Sequence, residues 1–521
     1  MHTLVHSGAI QGIDGLGVDV EVDISRGIPC FSIVGLPNTA VRESRERVTA
    51  ALKNSGWDFP LERITVNLAP ADIRKEGAAF DLAIATGILV ASRQAVPQDD
   101  THTLLLGELA LDGTLRRVPG VLPVLLHAHA NGFQRAVVPE ENYDESLAVE
   151  GLEVIACRRL RDAIGAIFGE EQLPETAGEA SPKIMRRTKR ADHPPSVLWP
   201  ADTGSVDMKE VLGQEAVKRA LLVAAAGGHH FLMVGPPGAG KTMLARRFVT
   251  ILPGLSQRAA LETTMIYSIV GLLNGRGLVV RPPLRAPHHS ASDAGLIGGG
   301  GNPRPGEVTL AHNGVLFLDE LPEFKRHVLE TLREPLEEGC ITISRAARAV
   351  TFPARFQLLA AMNPCPCGYL GSNERQCRCS PKQVDAYVSR ISGPLLDRVS
   401  IQVPVHPVAV EAFRCAPAGE TSADMAGRAV AARQFAACRW GGDTPANARV
   451  PEKQFKQDAT ITPPANDLLL DAQKRLQISA RGRAHVQRVS RTIADLDASE
   501  EVLPRHVAEA IQYRVANWKR Y

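Results

Sequence analysis

The chain has 521 residues, of which 44% are hydrophobic and 22% are charged. A chain of this length should form about three domains, and its composition excludes wholesale disorder. Lys and Arg number 59 against 57 acidic residues, so the net charge of +2 excludes a globally polybasic protein but leaves local basic patches open. No apolar run reaches the roughly 18 residues of a membrane span, and no basic segment followed by an apolar run marks a signal peptide. We therefore expect a cytoplasmic protein that does not enter a membrane.

Short strand-like runs alternate with helical stretches in the first block, residues 1–170. Residues 18–24 and 136–139 have the pattern of strands, whereas 39–54 and 80–92 have the pattern of helices. This alternation predicts a mixed α/β domain.

A linker is predicted for residues 171–204. The segment is rich in proline, poor in apolar residues and carries a basic run from Lys183 to Arg190. Such a composition is typical of a solvated tether, and the basic run leaves contact with nucleic acid as an alternative.

The second block, residues 205–405, contains a nucleotide-binding pattern. A short apolar run at 231–234 leads into a loop of the G-x-x-x-x-G-K-[ST] type, and a helical pattern follows. Glycines let backbone N–H groups curl around phosphates at a helix start, the lysine neutralises the β- and γ-phosphates, and the threonine hydroxyl can bind Mg²⁺. The residues predicted to bind ATP in this way are Gly235, Pro236, Pro237, Gly238, Ala239, Gly240, Lys241 and Thr242.

A second buried run, residues 315–318, ends at the acidic pair Asp319 and Glu320. Acidic residues at a strand end, downstream of a phosphate loop, are typical of a Walker B element. Asp319 is expected to bind the nucleotide-associated Mg²⁺ together with Thr242, and Glu320 is expected to polarise the attacking water. The two patterns together predict an ATPase.

Three polar residues follow in a characteristic order. Asn363 ends a third apolar run and Arg398 follows an apolar helical stretch. Arg481 opens an amphipathic helix in the third block, residues 406–521, which is mainly helical in pattern. These elements resemble those of the AAA+ ATPases of the magnesium-chelatase-like branch. For the arginines, an ordinary surface charge is the alternative, as is an internal salt bridge between Asp397 and Arg398.

The resemblance implies catalytic roles for all three residues. Asn363 matches sensor 1, Arg481 matches sensor 2, and Arg398 matches an arginine finger that reaches the nucleotide of a neighbouring subunit, which requires a ring. The third block would be a C-terminal helical lid of the magnesium-chelatase type.

The resemblance also implies a helix-2 insert at residues 283–307 and a hairpin before sensor 1. The alternation within residues 341–353 itself predicts a two-stranded ribbon. Arg345 and Arg348 near its tip could neutralise a DNA backbone in the channel of a ring, or they could be ordinary charges on a solvated hairpin.

Four cysteines form two C-x-C pairs separated by nine residues. Four thiolates at short spacing suit a closed tetrahedral Zn²⁺ site, and a group of reduced bystander thiols is the alternative. The predicted structural zinc ligands are Cys365, Cys367, Cys377 and Cys379.

Together with residues 31–36, 41–52, 74–77 and 311–314, these motifs make the chain resemble the ComM/YifB family over its whole length. The resemblance implies an α/β fold with an N-terminal Lon-protease-like domain (ribosomal S5 domain 2-like), an AAA+ P-loop core and the helical lid. It further implies a homohexamer that uses ATP and Mg²⁺ to drive branch migration of DNA, single-stranded or branched, as a helicase in recombination during natural transformation.

Residues 75–81 and 107–142 are similar to the proteolytic domain of Lon proteases, in which a lysine activates a serine. Alignment puts Ala79 at the serine position and Leu122 at the lysine position. Because neither side chain can perform this chemistry, we expect a Lon-like domain without peptidase activity.

Two other functions remain as alternatives. A magnesium-chelatase motor subunit would need a partner domain with a metal-adhesion site, and no acidic, proline-rich extension or D-x-S-x-S pattern is present. A protein-remodelling ATPase or protease regulator would be favoured by an aromatic pore loop, where this chain has Arg345 and Arg348.

Overall fold

The structure is a computed structural model, and the chain divides into two compact units. The first comprises Met1–Trp199 and Gln257–Val280, and the second comprises Pro200–Ser256 and Arg281–Tyr521. None of the helices in the described part of the chain is long and apolar enough to cross a membrane. The described residues are 1–72, 74–96, 102–174, 185–186, 206–273, 277–300, 303–345, 348–371, 375–407, 419–441 and 446–514.

One mixed sheet of eight strands forms the centre of the first unit. Along Arg63–Ala69, Ile64, Val66 and Leu68 are buried and alternate with more exposed residues, so this strand has one face in the core. The strands lie in the spatial order Met185–Arg186, Glu153–Cys157, Arg135–Pro139, Thr103–Leu105, His2–Gln11, Asp14–Ser25, Arg63–Ala69 and Cys30–Val34. A separate small ribbon pairs Glu108–Leu109 with Leu115–Arg116.

The helices of the first unit confirm the predicted α/β alternation. The stretch predicted as a helix at 39–54 forms two helices that meet at Glu43, and the stretch at 80–92 forms a helix that is buried along nearly its whole length. The helices are Thr39–Arg42, Ser44–Asn54, Asp81–Ala91, Val121–Ala130, Tyr143–Ser146, Leu160–Phe168 and Gln257–Ile269. Most of the predicted linker, 171–204, lies outside the described residues.

The helix Gln257–Ile269 belongs to the first unit although it lies within the block predicted as the ATPase core. Leu261 and Met265 pack against a hydrophobic core of that unit. At its C-terminal end, the Ser268 hydroxyl donates a 2.5 Å hydrogen bond to the buried carboxylate of Glu145. Burial raises the pKa of Glu145 despite this bond and one from Asn142.

Five parallel strands form the sheet of the second unit. Its three central strands are buried along their whole length, which explains why they are almost continuously apolar: parallel strands are covered on both faces. The spatial order is Leu284–Arg285, Val315–Leu318, Gln357–Met362, Phe231–Val234 and Ile401–Pro404.

The helices around this sheet come from two parts of the sequence. Those before residue 400 are Glu215–Gly227, Lys241–Phe248, Asp293–Ile297, Glu307–Leu310, Arg326–Thr331, Arg333–Glu338, Pro381–Val388 and Gly393–Arg398. The third block is mainly helical, as predicted, with helices Ser422–Trp440, Glu452–Asp458, Pro463–Leu476, Ala480–Leu496 and Pro504–Gln512. The Ser479 hydroxyl caps the fourth of these by accepting a 2.9 Å bond from the Gly482 N–H.

The ribbon predicted at 341–353 is confirmed. Strands Cys340–Arg345 and Arg348–Pro353 pair antiparallel, with Arg345 opposite Arg348 at the far end. Ile341, Ile343 and Phe352 are buried and anchor the ribbon. The side chains of Arg345 and Arg348 lie outside the described part of the structure. A smaller ribbon pairs Gly298–Gly299 with Arg304–Pro305, within the segment 283–307 for which a helix-2 insert is predicted.

Candidate nucleotide-binding site

Three neighbouring strands bring the predicted nucleotide-site residues to one edge of the parallel sheet. Because parallel strands end at the same edge, the loop after Val234, the Asp319–Glu320 pair and Asn363 meet there. They line a cleft of about 380 Å³, formed by residues 237–243 together with Asp319, Glu320, Met362 and Asn363.

The loop that precedes the helix Lys241–Phe248 depends on glycine. Gly238 and Gly240 have φ of +79° and +86°, which favours residues without a Cβ. A Cβ on Gly235 would lie only 2.2 Å from the Val405 carbonyl oxygen. The loop therefore curls tightly into the helix N-terminus, where the first backbone N–H groups of the helix and its dipole favour an anion.

Lys241 and Asn363, predicted to act on the same nucleotide, are in direct contact. The Lys241 ammonium donates to the carbonyl oxygens of Gly235 (2.7 Å) and Pro236 (2.9 Å) and to Asn363 Oδ1 (3.1 Å). Burial lowers the pKa of Lys241, and the charges of Asp319 and Glu320 partly offset that effect. A phosphate oxygen could replace these neutral acceptors and stabilise the charged ammonium.

The oxygen atoms predicted to hold Mg²⁺ are adjacent. The Thr242 hydroxyl donates to Asp319 Oδ2 at 2.6 Å, while Asp319 Oδ1 accepts from the Glu320 N–H at 2.9 Å. A hydroxyl and a carboxylate beside a phosphate-binding loop fit the oxygen ligands that Mg²⁺ prefers.

Glu320 has a φ of 52°, and 54% of its side chain is exposed. Its Oε2 lies 3.5 Å from Nδ1 of His289. The sequence analysis does not predict this contact. The feature that could have indicated it is the pair His288 and His289, which follows the strand Leu284–Arg285.

Arg398 and Arg481 are close to each other but do not line the cleft of their own chain. Both guanidinium groups donate to the same carboxylate oxygen, Oε1 of Glu337. Arg398 is nearly buried, with 7% of its side chain exposed, whereas Arg481 is 45% exposed. Partial burial acts to raise the pKa of the Glu337 carboxyl, but the charges of Arg398 and Arg481 outweigh this effect and lower the pKa.

The alternative of an internal salt bridge between Asp397 and Arg398 is wrong. Asp397 instead pairs with Arg514 and accepts a 3.1 Å hydrogen bond from the Ser479 hydroxyl. The neighbouring side chains of Asp397 and Arg398 therefore serve two separate contacts.

The four cysteines of the two C-x-C pairs converge. Their sulfur atoms all lie within 4.8 Å of one another, and Cys365 Sγ is 3.4 Å from Cys367 Sγ and 3.7 Å from Cys377 Sγ. Four thiolates around tetrahedral zinc would be separated by about 3.8 Å, so the donor set fits this ion. Burial acts to raise the pKa of Cys367, but hydrogen bonds from the backbone N–H groups of Tyr369 and Arg378 outweigh this effect and lower the pKa to about 6.

The cysteine loop also touches the phosphate loop. Gly368, whose N–H bonds to the Cys365 carbonyl, packs so closely that a Cβ on it would lie 2.5 Å from Pro237 Cδ. The sulfur cluster and the nucleotide cleft are therefore neighbours within the same unit.

Comparison with known proteins covers nearly the whole chain. Three family models match it: "Subunit ChlI of Mg-chelatase" at residues 20–142, "Magnesium chelatase, subunit ChlI" at 207–413 and "Magnesium chelatase, subunit ChlI C-terminal" at 419–514. The competence protein ComM of Haemophilus influenzae is 42% identical over 515 residues, which cover 98% of this chain and 97% of that protein. The chain belongs to the magnesium-chelatase-like ComM/YifB family. The YifB protein of Escherichia coli is 40% identical over 515 residues, with 98% and 97% coverage.

Family membership and the parallel sheet support an AAA+ core within the second unit, for which ATP and Mg²⁺ are the implied ligands. A more distant similarity links the chain to Lon protease 2 of Bacillus subtilis, which is 31% identical over 126 residues, 24% of this chain and 22% of that protein. In the first unit, Ala79 is partly buried and Leu122 is fully buried.

Proposed function

We propose that this protein is a ring-forming ATPase that couples ATP hydrolysis to movement on DNA, as a helicase in branch migration during the recombination step of natural transformation. The observation that carries the ATPase part is the contact of Lys241 with Asn363 beside the bonded pair Thr242 and Asp319. The name of the similar ComM protein, a competence protein, supports the DNA part.

Residues 235–242 bind the phosphates, with the Lys241 ammonium leaving its carbonyl acceptors for the β- and γ-phosphates. Thr242 and Asp319 would hold Mg²⁺, which neutralises phosphate charge when it is bound. Glu320 accepts a proton from the attacking water, and Asn363 orients that water. The carboxylate of Glu320 lines the cleft and is 54% exposed, so it can reach a water there.

Hydrolysis by this class of ATPase needs an arginine finger, and among the described residues no arginine lines the cleft of one chain. Arg398 and Arg481 lie together on Glu337, away from the residues that line the cleft. We assign both arginines to the nucleotide of a neighbouring subunit, so the active site is complete only in a ring, which we take to be a homohexamer.

DNA binds in the central channel of the ring, where arginine side chains neutralise its phosphates. The ribbon Cys340–Arg345 and Arg348–Pro353 would present Arg345 and Arg348 at its far end, and contacts to phosphates give affinity without reading sequence. The linker, residues 171–204, is a second candidate for such contact.

The remaining parts have supporting roles. The block 1–170 is proposed to be a Lon-like domain without peptidase activity, because Ala79 and Leu122 replace the catalytic pair. The AAA+ core would span 205–405, apart from residues 257–280, which belong to the first unit, and the lid would span 406–521. Zinc, held by the four cysteines, would be structural. A cytoplasmic location stays a prediction of the sequence.

ATP hydrolysis should be measured with no addition, with single-stranded, duplex and branched DNA, and with an unfolded protein, each at two salt concentrations. We expect DNA to bind and to stimulate hydrolysis, with an effect that falls steeply as salt rises. Lys241→Ala should abolish nucleotide binding, so the rate measured with this variant gives the background of the assay. Stimulation by the unfolded protein alone would replace the DNA function with protein remodelling.

A further inference from the structure

Glu337 forms ion pairs with both Arg398 and Arg481. A single carboxylate oxygen accepts a bond from each guanidinium. The carboxylate lies between two like charges, which would repel each other at this distance without it. Removing its charge should therefore release at least one arginine, and the 45% exposed Arg481 is the easier one to release.

The contacts of Arg398 suit a state in which this arginine does not act on a nucleotide. Its Nη1 donates to the Pro394 carbonyl at 2.7 Å and its Nη2 donates to Glu337, but its buried Nε has no hydrogen-bond partner among the described residues. A buried donor without an acceptor is destabilising. A phosphate with several oxygen acceptors could satisfy the guanidinium more completely than Glu337 does.

Glu337 is also joined to the ribbon by a very short connection. It lies on the helix Arg333–Glu338, which ends at Gly339 with a φ of 68°, and the ribbon begins at Cys340. The Gly339 N–H bonds to the Pro335 carbonyl at 3.0 Å, and its carbonyl accepts from the Ala354 N–H at 2.8 Å. A displacement of the base of the ribbon is therefore passed directly to the helix that carries Glu337.

We infer that Glu337 is a latch that withholds Arg398 and Arg481 from the neighbouring subunit's nucleotide until DNA displaces the ribbon. Glu337 is thus a positioning residue that acts through the two arginines. The inference rests on the proposed function, because it takes the arginines to act in trans and the ribbon to contact DNA. It adds the element that links the two and makes hydrolysis depend on DNA.

The test compares Glu337→Gln with Glu338→Gln in the full-length protein. Both changes remove one negative charge from the same helix, and Glu338 is exposed, whereas the ion pairs described for Arg398 and Arg481 are with Glu337. The latch predicts that Glu337→Gln raises the DNA-free rate of ATP hydrolysis roughly three- to tenfold, where tenfold corresponds to about 1.4 kcal/mol. The rate at saturating DNA should stay near that of the wild type, and Glu338→Gln should match the wild type in both conditions.

Two more variants separate a latch from a structural role. Glu337→Asp keeps the charge but is too short to bridge both arginines, so it should also raise the DNA-free rate. The double variant Glu337→Gln, Arg398→Ala should be as slow as Arg398→Ala alone, because the latch acts through Arg398. Thermal unfolding of each variant shows whether the fold is retained.

Three results would overturn the latch: an unchanged DNA-free rate in Glu337→Gln, a loss of hydrolysis both with and without DNA in Glu337→Gln and Glu337→Asp, or a raised rate that survives Arg398→Ala. Failure of the proposed function has a different signature. In that case the wild-type rate would not respond to DNA, or Arg398→Ala would hydrolyse ATP normally, whatever the rate of Glu337→Gln.

Discussion

Mixing two inactive variants should restore ATP hydrolysis, because Arg398 is proposed to act on the neighbouring subunit's nucleotide. Arg398→Ala keeps an intact cleft, since Arg398 does not line it. Lys241→Ala keeps an intact Arg398 but loses the ammonium that contacts Gly235, Pro236 and Asn363. Each variant alone lacks one half of every active site, whereas a mixed ring contains some interfaces with both halves.

The expected magnitudes follow from the structure. Arg398→Ala should lower the rate about 10³- to 10⁵-fold, as for other arginine fingers, and leave nucleotide affinity nearly unchanged. Lys241→Ala removes the ammonium that neutralises the β- and γ-phosphates, so nucleotide binding and hydrolysis should both be lost. In a one-to-one random mixture, roughly a quarter of the interfaces combine an intact cleft with an intact finger, so about a quarter of the wild-type rate should return.

The assay is steady-state ATP hydrolysis over a series of mixing ratios, with mass measurement to show that mixed rings form. Thermal unfolding of Arg398→Ala checks that loss of this nearly buried side chain does not unfold the protein. Mixed rings that remain inactive would refute action in trans, as would an Arg398→Ala protein that is active by itself.

Three further predictions test other parts of the account. Glu320→Gln should bind ATP but not turn it over, measured as retained nucleotide; turnover within about tenfold of wild type would remove Glu320 from its role as the base. Replacing Cys377 and Cys379 with Ser should release zinc. It should also weaken ATP binding, because Gly368 of the cysteine loop packs on Pro237 of the phosphate loop. The exposed Cys438→Ser is the control, and an unchanged zinc content would contradict the site. Burial lowers the pKa of His230 and of His485 from 6.5 to about 3, so between these values the unfolded chain binds more protons and stability falls as the pH falls below about 6.5. Below pH 6.5, each histidine should lower the free energy of unfolding by up to about 1.4 kcal/mol per pH unit. A melting temperature that does not change between pH 8 and pH 5 would contradict the assignment of these histidines as buried and neutral.

The nucleotide cleft was predictable because its residues belong to local patterns. A buried strand followed by Gly235 to Thr242 specifies both the loop and the helix that follows, and polar residues after parallel strands must meet at one edge. The contact between Lys241 and Asn363, 122 positions apart, follows from strand order once the sheet is known to be parallel.

The contacts of the arginines were not predictable in the same way. Glu337 lies 61 positions before Arg398 and 144 before Arg481, and nothing in the residues around it distinguishes it from Glu334 or Glu338. Charged side chains on helix surfaces pair with whatever the tertiary fold brings near, so their partners have no local signature.

The helix Gln257–Ile269 shows the same limit for domain assignment. Its apolar face predicts that it packs on something, but an amphipathic pattern does not specify the partner. Its position after the phosphate loop assigned it to the ATPase block, whereas Leu261 and Met265 contribute to the core of the first unit. The structure therefore joins this segment to a domain that begins more than 100 residues earlier in the chain.

The most direct test of the central claim is to follow the movement of a branch point in a labelled three-strand or four-way DNA junction. The account predicts that the wild-type protein moves the branch point only with ATP and Mg²⁺, and that Glu320→Gln binds the junction without moving it. Branch movement at an equal rate with Glu320→Gln, or no movement by a wild-type protein that hydrolyses ATP and binds the junction, would contradict the coupling of hydrolysis to movement on DNA.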